Sequence, residues 1–222
     1  MHSHHRTLLR CLVAALLLGC ASGSAQEQTT APDTDAYSRL SVSLVGMQPV
    51  YTGYHATSLS THSLYGLGVG YVLGINVTGH SLPLFLEVGP ELVFARRTDD
   101  IDIWDGDQLI SAYTLSTQML TLSTPIDLAY HLRLTDGLVL APAAGLTAKA
   151  HLLASTTEDG VSVNLFNTDA HRFQLGCNVA CGLYLGRFYV GLSYAADLTS
   201  FQSAGPMEES YRCLDLTAGL RF

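Results

Sequence analysis

The segment from residue 65 to residue 75 alternates between large apolar side chains and, with one exception, glycines. Its odd positions are Tyr65, Leu67, Val69, Tyr71, Leu73 and Ile75, and its even positions are Gly66, Gly68, Gly70, Val72 and Gly74. A repeat of two residues indicates an extended strand whose side chains point alternately to two faces. Glycine weakens a strand and is unusual on a water-facing sheet surface. The pattern therefore favours a barrel strand with lipid outside and a crowded interior over a glycine-rich strand of a soluble sandwich.

The same alternation recurs along the chain and predicts eight strands. They cover about 37–50, 62–77, 82–96, 110–132, 138–153, 171–185, 187–199 and 211–222. The connections between them alternate between long and short, as in outer-membrane barrels with long outer loops and short periplasmic turns. We therefore predict an all-β fold, an eight-stranded antiparallel up-and-down transmembrane β-barrel with both termini in the periplasm.

Three prolines lie inside the predicted strands, namely Pro90, Pro125 and Pro142. Proline cannot donate a hydrogen bond to a strand ladder, and a closed barrel has no free edge on which to place it. We therefore expect bulges or irregular pairing at all three positions.

Composition agrees with a membrane barrel. The 222 residues are 48% hydrophobic and 14% charged, yet no apolar run reaches the roughly 18 residues that a spanning helix needs. The net charge is −8, and Lys149 is the single lysine. Because no basic cluster is present to neutralise phosphates, we expect no nucleic-acid partner.

The N-terminus predicts export. Arg6 and Arg10 precede an apolar run that ends before the small residues Gly23-Ser24-Ala25, which indicates a signal peptide over 1–25. The polar stretch 26–36 is a predicted flexible periplasmic leader, and 37–222 is the barrel domain. An alternative is Leu17-Leu18-Gly19-Cys20, which resembles a lipobox with Cys20 as the lipidated residue.

Cleavage after residue 25 leaves Cys177, Cys181 and Cys213. Cys177 and Cys181 lie on one face of one strand, about 13 Å apart, which is too far for a disulfide. We expect free thiols in apolar surroundings rather than a metal site, because no histidine stands at ligand spacing beside them.

The side-chain alternation also assigns polar residues to the barrel interior. They are Glu87, Glu91, Asp127, His131, Lys149, Gln174, Asn178, Tyr184, Tyr189, Asp215 and Arg221. Eight strands leave an interior that side chains can fill, and unpaired charges there are costly. We therefore expect the carboxylates to pair with Lys149, Arg221 and protonated His131, forming a structural polar network that plugs the lumen and prevents conduction.

Several segments resemble one known family. Residues 122–130, Leu-Ser-Thr-Pro-Ile-Asp-Leu-Ala-Tyr, resemble the "LxIPxxLxY" strand of the small PorT-like outer-membrane β-barrel domains, although Pro125 here precedes Ile126. Residues 173–194 are similar to that family's penultimate hairpin, and 216–222 are similar to its closing strand. The resemblance covers the chain from about Tyr37 onward. It implies that Phe222 is an assembly signal read by the barrel-assembly machinery, and it supplies no catalytic residues.

Two classes of function follow from the residues. The first is a non-enzymatic barrel in contact with outer-membrane lipid, whose surface loops bind a ligand or protein partner. The second is an enzyme acting on lipid, an acyl hydrolase or transferase, which needs a serine, a histidine and an acid. The candidate pairs are His55 with Ser58, His62 with Ser63, and His151 with Ser155, and His171 is a further candidate base. We favour the non-enzymatic class and predict no catalytic site, cofactor or metal.

The predicted connection 97–108 is rich in aspartate. Asp99, Asp100, Asp102, Asp105 and Asp107 surround Trp104. Carboxylates are suitable ligands for calcium, but the spacing does not match a twelve-residue calcium loop, which ends in glutamate. We therefore expect a solvated acidic loop, with calcium binding as the alternative.

Overall fold

The computed structural model describes residues 36–53, 62–78, 82–105, 108–158, 160–204 and 207–222. The predicted signal peptide and nearly all of the predicted leader lie outside these ranges. The strands are β1 Ala36–Gly53, β2 Leu64–Asn76, β3 Leu84–Val88, β4 Glu91–Asp105, β5 Gln108–Tyr130, β6 Leu132–Thr135, β7 Leu138–Glu158, β8 Val161–Asn164, β9 Phe173–Leu185, β10 Phe188–Asp197, β11 Gln202–Ala204 and β12 Met207–Arg221. A short 3₁₀ helix, Leu165–Asn167, follows β8.

The strands close into an eight-stranded antiparallel barrel. β1 pairs with β2, and β2 pairs with β3 and β4, which together form one barrel strand. β3 and β4 both pair with β5, and the ring continues through β7, β9, β10 and β12. β12 pairs with β1 over fifteen residues from Arg39↔Arg221 to Gly53↔Met207, which closes the ring. The predicted fold is confirmed.

Each of the three prolines lies at an interruption in one of its flanking ladders. Pro90 lies in the break between β3 and β4, where its carbonyl accepts a hydrogen bond from the Tyr71 N–H at 3.0 Å. Pro125 keeps its register in β5, and its carbonyl accepts from Gly89 at 3.1 Å, so its missing donor faces that same break. Pro142 also keeps its register, one residue beyond the end of the β5 ladder at Ala143. One ladder is interrupted between Val88↔Ile126 and Glu91↔Ser123, beside Pro90 and Pro125, and another between Ala129↔Ala143 and Leu132↔Leu140, beside Pro142. The expectation of irregular pairing is therefore right at all three prolines.

Two predicted connections are largely strand. The stretch 97–108 continues β4 and β5 as a hairpin in which Asp105 pairs with Gln108, so the predicted acidic loop is wrong as secondary structure. The predicted loop after Leu153 begins with the end of β7, which turns back into β8. The sequence Ile101-Asp102-Ile103 continues the alternation of apolar and polar residues that is typical of a strand. The high aspartate content of this stretch favours a loop in a sequence-based prediction, and that explains the error. We call this end of the barrel the hairpin end.

The opposite end, which we call the turn end, has tight connections. Residues 136–137 link β6 to β7, and Gly186 with Arg187 links β9 to β10. Gly186 has a φ of 60°, a left-handed conformation that favours glycine. The tight connections at this end therefore agree with the short turns predicted there, whereas at the hairpin end β5 begins only three residues after β4 ends.

The glycines of β2 face the interior and make room for larger side chains. A methyl group at Gly68 would overlap the side chains of Glu91 and Ser43, and one at Gly74 would overlap the Tyr37 ring. The alternation that defines this strand therefore reflects crowding inside the barrel.

The outward face is apolar and exposed around the ring. Val69 is 57% exposed, Leu146 is 61% exposed and Leu192 is 52% exposed, and these residues lie on three different barrel strands. Cys177 and Cys181 share this face, Cys213 faces inward, and all three are free thiols as predicted. Among the described residues, no helix is long and apolar enough to cross a membrane.

Candidate functional site in the barrel interior

A hydrogen-bonded ion-pair network fills the turn end of the lumen. Arg39 Nη2 lies 3.6 Å from Glu87 Oε2, and Arg39 Nη1 donates to the Tyr184 hydroxyl at 2.6 Å. The Tyr184 hydroxyl donates to the Tyr37 hydroxyl at 3.1 Å, which in turn donates to Glu87. His131 Nε2 lies 3.4 Å from Glu87 Oε1. All five side chains are buried, so each polar group depends on the others for its hydrogen bonds.

Aromatic rings complete this plug. The Arg39 guanidinium lies 3.7 Å from the centre of the Tyr189 ring, and the Arg221 guanidinium lies 4.3 Å from the centre of the Tyr37 ring. Such contacts stabilise a desolvated cation. The prediction that Arg221 pairs with a carboxylate is therefore wrong. Arg39 is the residue that lies against Glu87, and Arg221 packs on the aromatic rings of Tyr37 and Tyr184.

Lys149 lies farther from the turn end than this network does. It pairs with Asp197, a carboxylate that the sequence analysis does not assign to the interior. Its Nζ atom donates to Asp197 Oδ1 at 2.6 Å and contacts Cys213 Sγ at 3.4 Å. Lys149 is 5% exposed, so the ion pair is shielded from water. The expected pairing of Lys149 with an interior carboxylate is thus found, but the partner is at the end of β10.

The remaining predicted carboxylates accept hydrogen bonds from neutral groups. Glu91 accepts from the Ser43 hydroxyl, Asp127 Oδ1 accepts from Asn178 Nδ2 at 2.7 Å, and Asp215 Oδ2 accepts from the Ser193 hydroxyl at 3.1 Å. The other oxygen, Asp215 Oδ1, is buried and has no hydrogen-bond partner among the described residues. These carboxylates surround a cavity of about 120 Å³, which we call the chamber.

An apolar cluster, which we call the hairpin-end layer, lies in the lumen beyond the chamber. It consists of Val45, Met47, Leu64, Val93, Ala95, Met119, Ala154, Ala195, Phe201, Tyr211 and Cys213. Its members come from seven barrel strands and, in the case of Phe201, from the connection between β10 and β11. The chamber therefore lies between this layer and the turn-end network.

The structure places all seven predicted network residues in the lumen. They are Glu87, Glu91, Asp127, His131, Lys149, Asp215 and Arg221. It also adds three residues that the sequence analysis missed, Tyr37, Arg39 and Asp197. The sequence contains the information needed to place them inside. Tyr37 and Arg39 are on the same alternate positions of β1 as the interior residues Ser41 and Ser43, and Asp197 is on the same alternate positions of β10 as Ser193.

The catalytic candidates have different surroundings. His151 is buried, with Nδ1 2.9 Å from the Thr121 hydroxyl and Nε2 2.6 Å from Gln174 Oε1. Its proposed partner Ser155 instead accepts from Gln118 at 3.1 Å. Hydrogen bonding therefore does not join His151 to Ser155, and the candidate pair His55 and Ser58 lies outside the described residues.

The second candidate histidine lies at the hairpin end. His62 Nδ1 is 2.9 Å from Asp99 Oδ1, and Arg97 Nε is 2.7 Å from Asp99 Oδ2. The other aspartates considered for calcium have side chains outside the described part of the chain. Within that part, no group of three His, Cys, Asp or Glu side chains is arranged to hold a metal ion.

Comparisons with known proteins give similarity at the level of the fold. No protein-family model matches the chain, and no curated protein matches it. Among solved structures, Ail of Yersinia pestis is 15% identical with a TM-score of 0.44, covering 85% of this chain and 100% of Ail. Neisserial surface protein A is 12% identical with a TM-score of 0.42, covering 85% and 96%. The outer membrane enzyme PagL is 12% identical with a TM-score of 0.36, covering 79% and 97%.

Proposed function

We propose that this protein is a non-enzymatic integral outer-membrane β-barrel, whose hairpin end binds or scaffolds a partner at the cell surface. The observation that carries the proposal is the apolar outward face of the closed ring. Soluble monomers rarely expose contiguous apolar patches larger than a few hundred Å², whereas a barrel in lipid buries such a face. Membership of the PorT-like family would fit this proposal and remains a prediction.

The side chains in the lumen support the proposal that the barrel conducts no ions. The turn-end network and the hairpin-end layer each place buried side chains in the lumen, among them Tyr184 at 1% exposure and Met119 at 0%. Eight strands enclose an interior that side chains can fill. We therefore expect the interior residues to stabilise the barrel rather than to form an ion path.

The membrane proposal is tested by cell fractionation and by gel mobility before and after boiling. A closed ladder leaves no strand edge from which to open, so the folded barrel should resist detergent and migrate differently from the boiled chain. Purified protein should give no stable channel in a planar bilayer. Recovery in the soluble periplasm with identical mobilities would reject the membrane location, and reproducible porin-sized conductance would reject the plugged lumen.

Phe222 tests the proposed dependence on the barrel-assembly machinery. The Phe222 N–H donates to the Ser38 carbonyl at 2.8 Å, and the side chain is 69% exposed. Deleting Phe222 should lower the amount of folded barrel in cells strongly, but the stability of assembled barrel by only about 1 kcal/mol, since few contacts are lost. Quantitative immunoblotting and urea unfolding measure the two effects, and normal membrane levels would contradict the assembly role.

The second candidate is an enzyme that acts on membrane lipid, and one observation favours it. The carboxylate of Asp99 holds His62 Nδ1, which is how an acid orients a catalytic histidine. Replacing His62 with alanine should then change the lipid composition of the membrane, measured by mass spectrometry. Glu158→Ala is the control, because Glu158 is also an exposed polar residue at the hairpin end and is not a catalytic candidate. Unchanged lipid in the His62 variant would remove this candidate.

A further inference from the structure

The hairpin end of the lumen is covered in part by a side chain that does not belong to a strand. Phe201 lies between β10 and β11, yet it is 1% exposed. Its ring centre is 4.9 Å from that of His151 on β7 and 5.6 Å from that of Tyr211 on β12. The segment Leu198–Gln202 therefore carries an aromatic ring into the barrel mouth.

Backbone hydrogen bonds hold this segment across the mouth. The Phe201 N–H donates to the Glu209 carbonyl at 2.6 Å, and the Phe201 carbonyl accepts from His171 at 2.6 Å. Gln174 Nε2 donates to the Thr199 carbonyl at 3.0 Å. These bonds tie one connection to β12 and to the start of β9, so the segment spans neighbouring strands in the manner of a strap.

Beneath this strap, the hairpin-end layer borders the chamber. Val45, Met47, Val93, Ala195 and Cys213 belong to the layer and also line the chamber. Phe201 belongs to the layer without lining the chamber. Access from the hairpin end to Cys213 therefore reports whether the layer is open.

The chamber has an acidic surplus. Four acidic side chains line it, namely Glu87, Glu91, Asp127 and Asp215, and the basic side chains that line it are Arg39 and Lys149. Arg39 pairs with Glu87, and Lys149 pairs with Asp197. A charged molecule entering the chamber would therefore meet Glu91, Asp127 and Asp215, which favour a cation over an anion.

We infer that Leu198–Gln202 is a lid over the chamber, and that the chamber admits small organic cations in preference to anions when the lid is displaced. This inference rests on the proposed membrane barrel. The lid opens toward the hairpin end, while the turn-end network remains closed. The chamber is then a blind pocket, and opening the lid creates no channel.

The test measures labelling of Cys213 by water-soluble thiol reagents in the full-length chain, with the four other cysteines replaced by alanine. Cationic and anionic methanethiosulfonates of similar size are the probes. In the parent protein we expect slow labelling. Phe201→Ala removes the ring from the layer, so labelling by the cationic reagent should rise by roughly a hundredfold, and the anionic reagent should react more slowly.

Phe173→Ala is the matched control, because Phe173 is also at the hairpin end but is 76% exposed on the outward face. It should leave Cys213 labelling unchanged. Equal labelling rates in the parent and Phe201→Ala proteins would overturn the lid. Equal rates for the two reagents in Phe201→Ala would overturn the preference for cations.

Two further measurements separate the lid from the barrel itself. Each variant is examined for a mobility change on boiling, because a protein without this change contradicts the proposed membrane barrel rather than the lid. Phe201→Leu keeps an apolar side chain in the layer and should label much more slowly than Phe201→Ala. Fast labelling in both, with the mobility change intact, would show that Phe201 does not close the mouth.

Discussion

The two ends of the lumen are closed by different chemistry. At the turn end, Arg39, Glu87 and two tyrosine hydroxyls form one hydrogen-bonded network. At the hairpin end, Leu64, Met119 and Phe201 close the lumen by packing apolar groups. The comparison sets a cluster whose buried charges are satisfied by hydrogen-bonding partners against a cluster built almost entirely of apolar side chains.

These two solutions differ in how they respond to substitution. Removing one member of a buried ionic network leaves its partner charged and desolvated, which costs more than the lost contact. An apolar layer loses packing in proportion to the volume removed and tolerates a change of shape at constant volume. We therefore expect the turn end to be the more sensitive of the two.

The largest effect is expected for Glu87→Ala. Glu87 is 8% exposed and contacts Tyr37, Arg39 and His131, so its loss leaves a buried guanidinium without its carboxylate. The free energy of unfolding in urea should fall by about 3–5 kcal/mol, with no conductance in a planar bilayer. The exposed Glu158→Ala is the control and should change little. A loss below that of the control would contradict the network.

Lys149→Ala should have a comparable but smaller effect. It leaves Asp197 buried without its ammonium partner, so we expect a loss of about 3 kcal/mol in urea unfolding. Adding Asp197→Asn to the same chain should recover part of that loss, because it removes the unpaired charge. A double variant as unstable as the sum of the two single variants would show that the residues are not coupled.

Gly74→Ala tests the space that glycine provides at the turn end. The new methyl group would overlap the Tyr37 ring, displacing its hydroxyl from Glu87. We expect a loss of about 1–3 kcal/mol in the free energy of unfolding. Gly137→Ala, where an added methyl group meets no atom within 4 Å, is the matched control. Equal stability of the two variants would contradict the crowding argument.

The parts of this structure that sequence could predict are those governed by the period of two. Alternation on each strand placed Glu87 and Lys149 inside and the leucines outside, because a strand offers only two faces. The alternation does not predict which interior side chains pair with each other. Lys149 on β7 pairs with Asp197 on β10, and these strands are not adjacent, so the pairing depends on the tilt and stagger of the strands. The alternation also could not find Phe201, because a connection has no period from which to infer burial.

The predicted strand ends were less accurate for a related reason. The aspartates of 97–108 predict a solvated loop, but residues 97–105 of β4 pair with 108–117 of β5 as a two-stranded hairpin, so an aspartate-rich composition does not prevent strand pairing there. The bulge at Leu152 was likewise not visible in the sequence. It lets His151 pair with Thr121 on β5 while Leu153 pairs with Leu120.

The smallest effects come from one conservative substitution at each end, and their difference is the sharpest test of the comparison. Tyr184→Phe keeps the ring at the turn end but removes a hydroxyl that accepts from Arg39 and donates to Tyr37, so it should cost about 1–3 kcal/mol. Met119→Leu at the hairpin end preserves volume and breaks no hydrogen bond, so it should cost less than about 1.5 kcal/mol. Both side chains are almost fully buried, so a difference in burial does not explain a difference in stability between the two variants. Urea unfolding under identical conditions should therefore rank Tyr184→Phe as the less stable. The reverse order would mean that packing, rather than the satisfaction of buried polar groups, controls stability at both ends of the lumen.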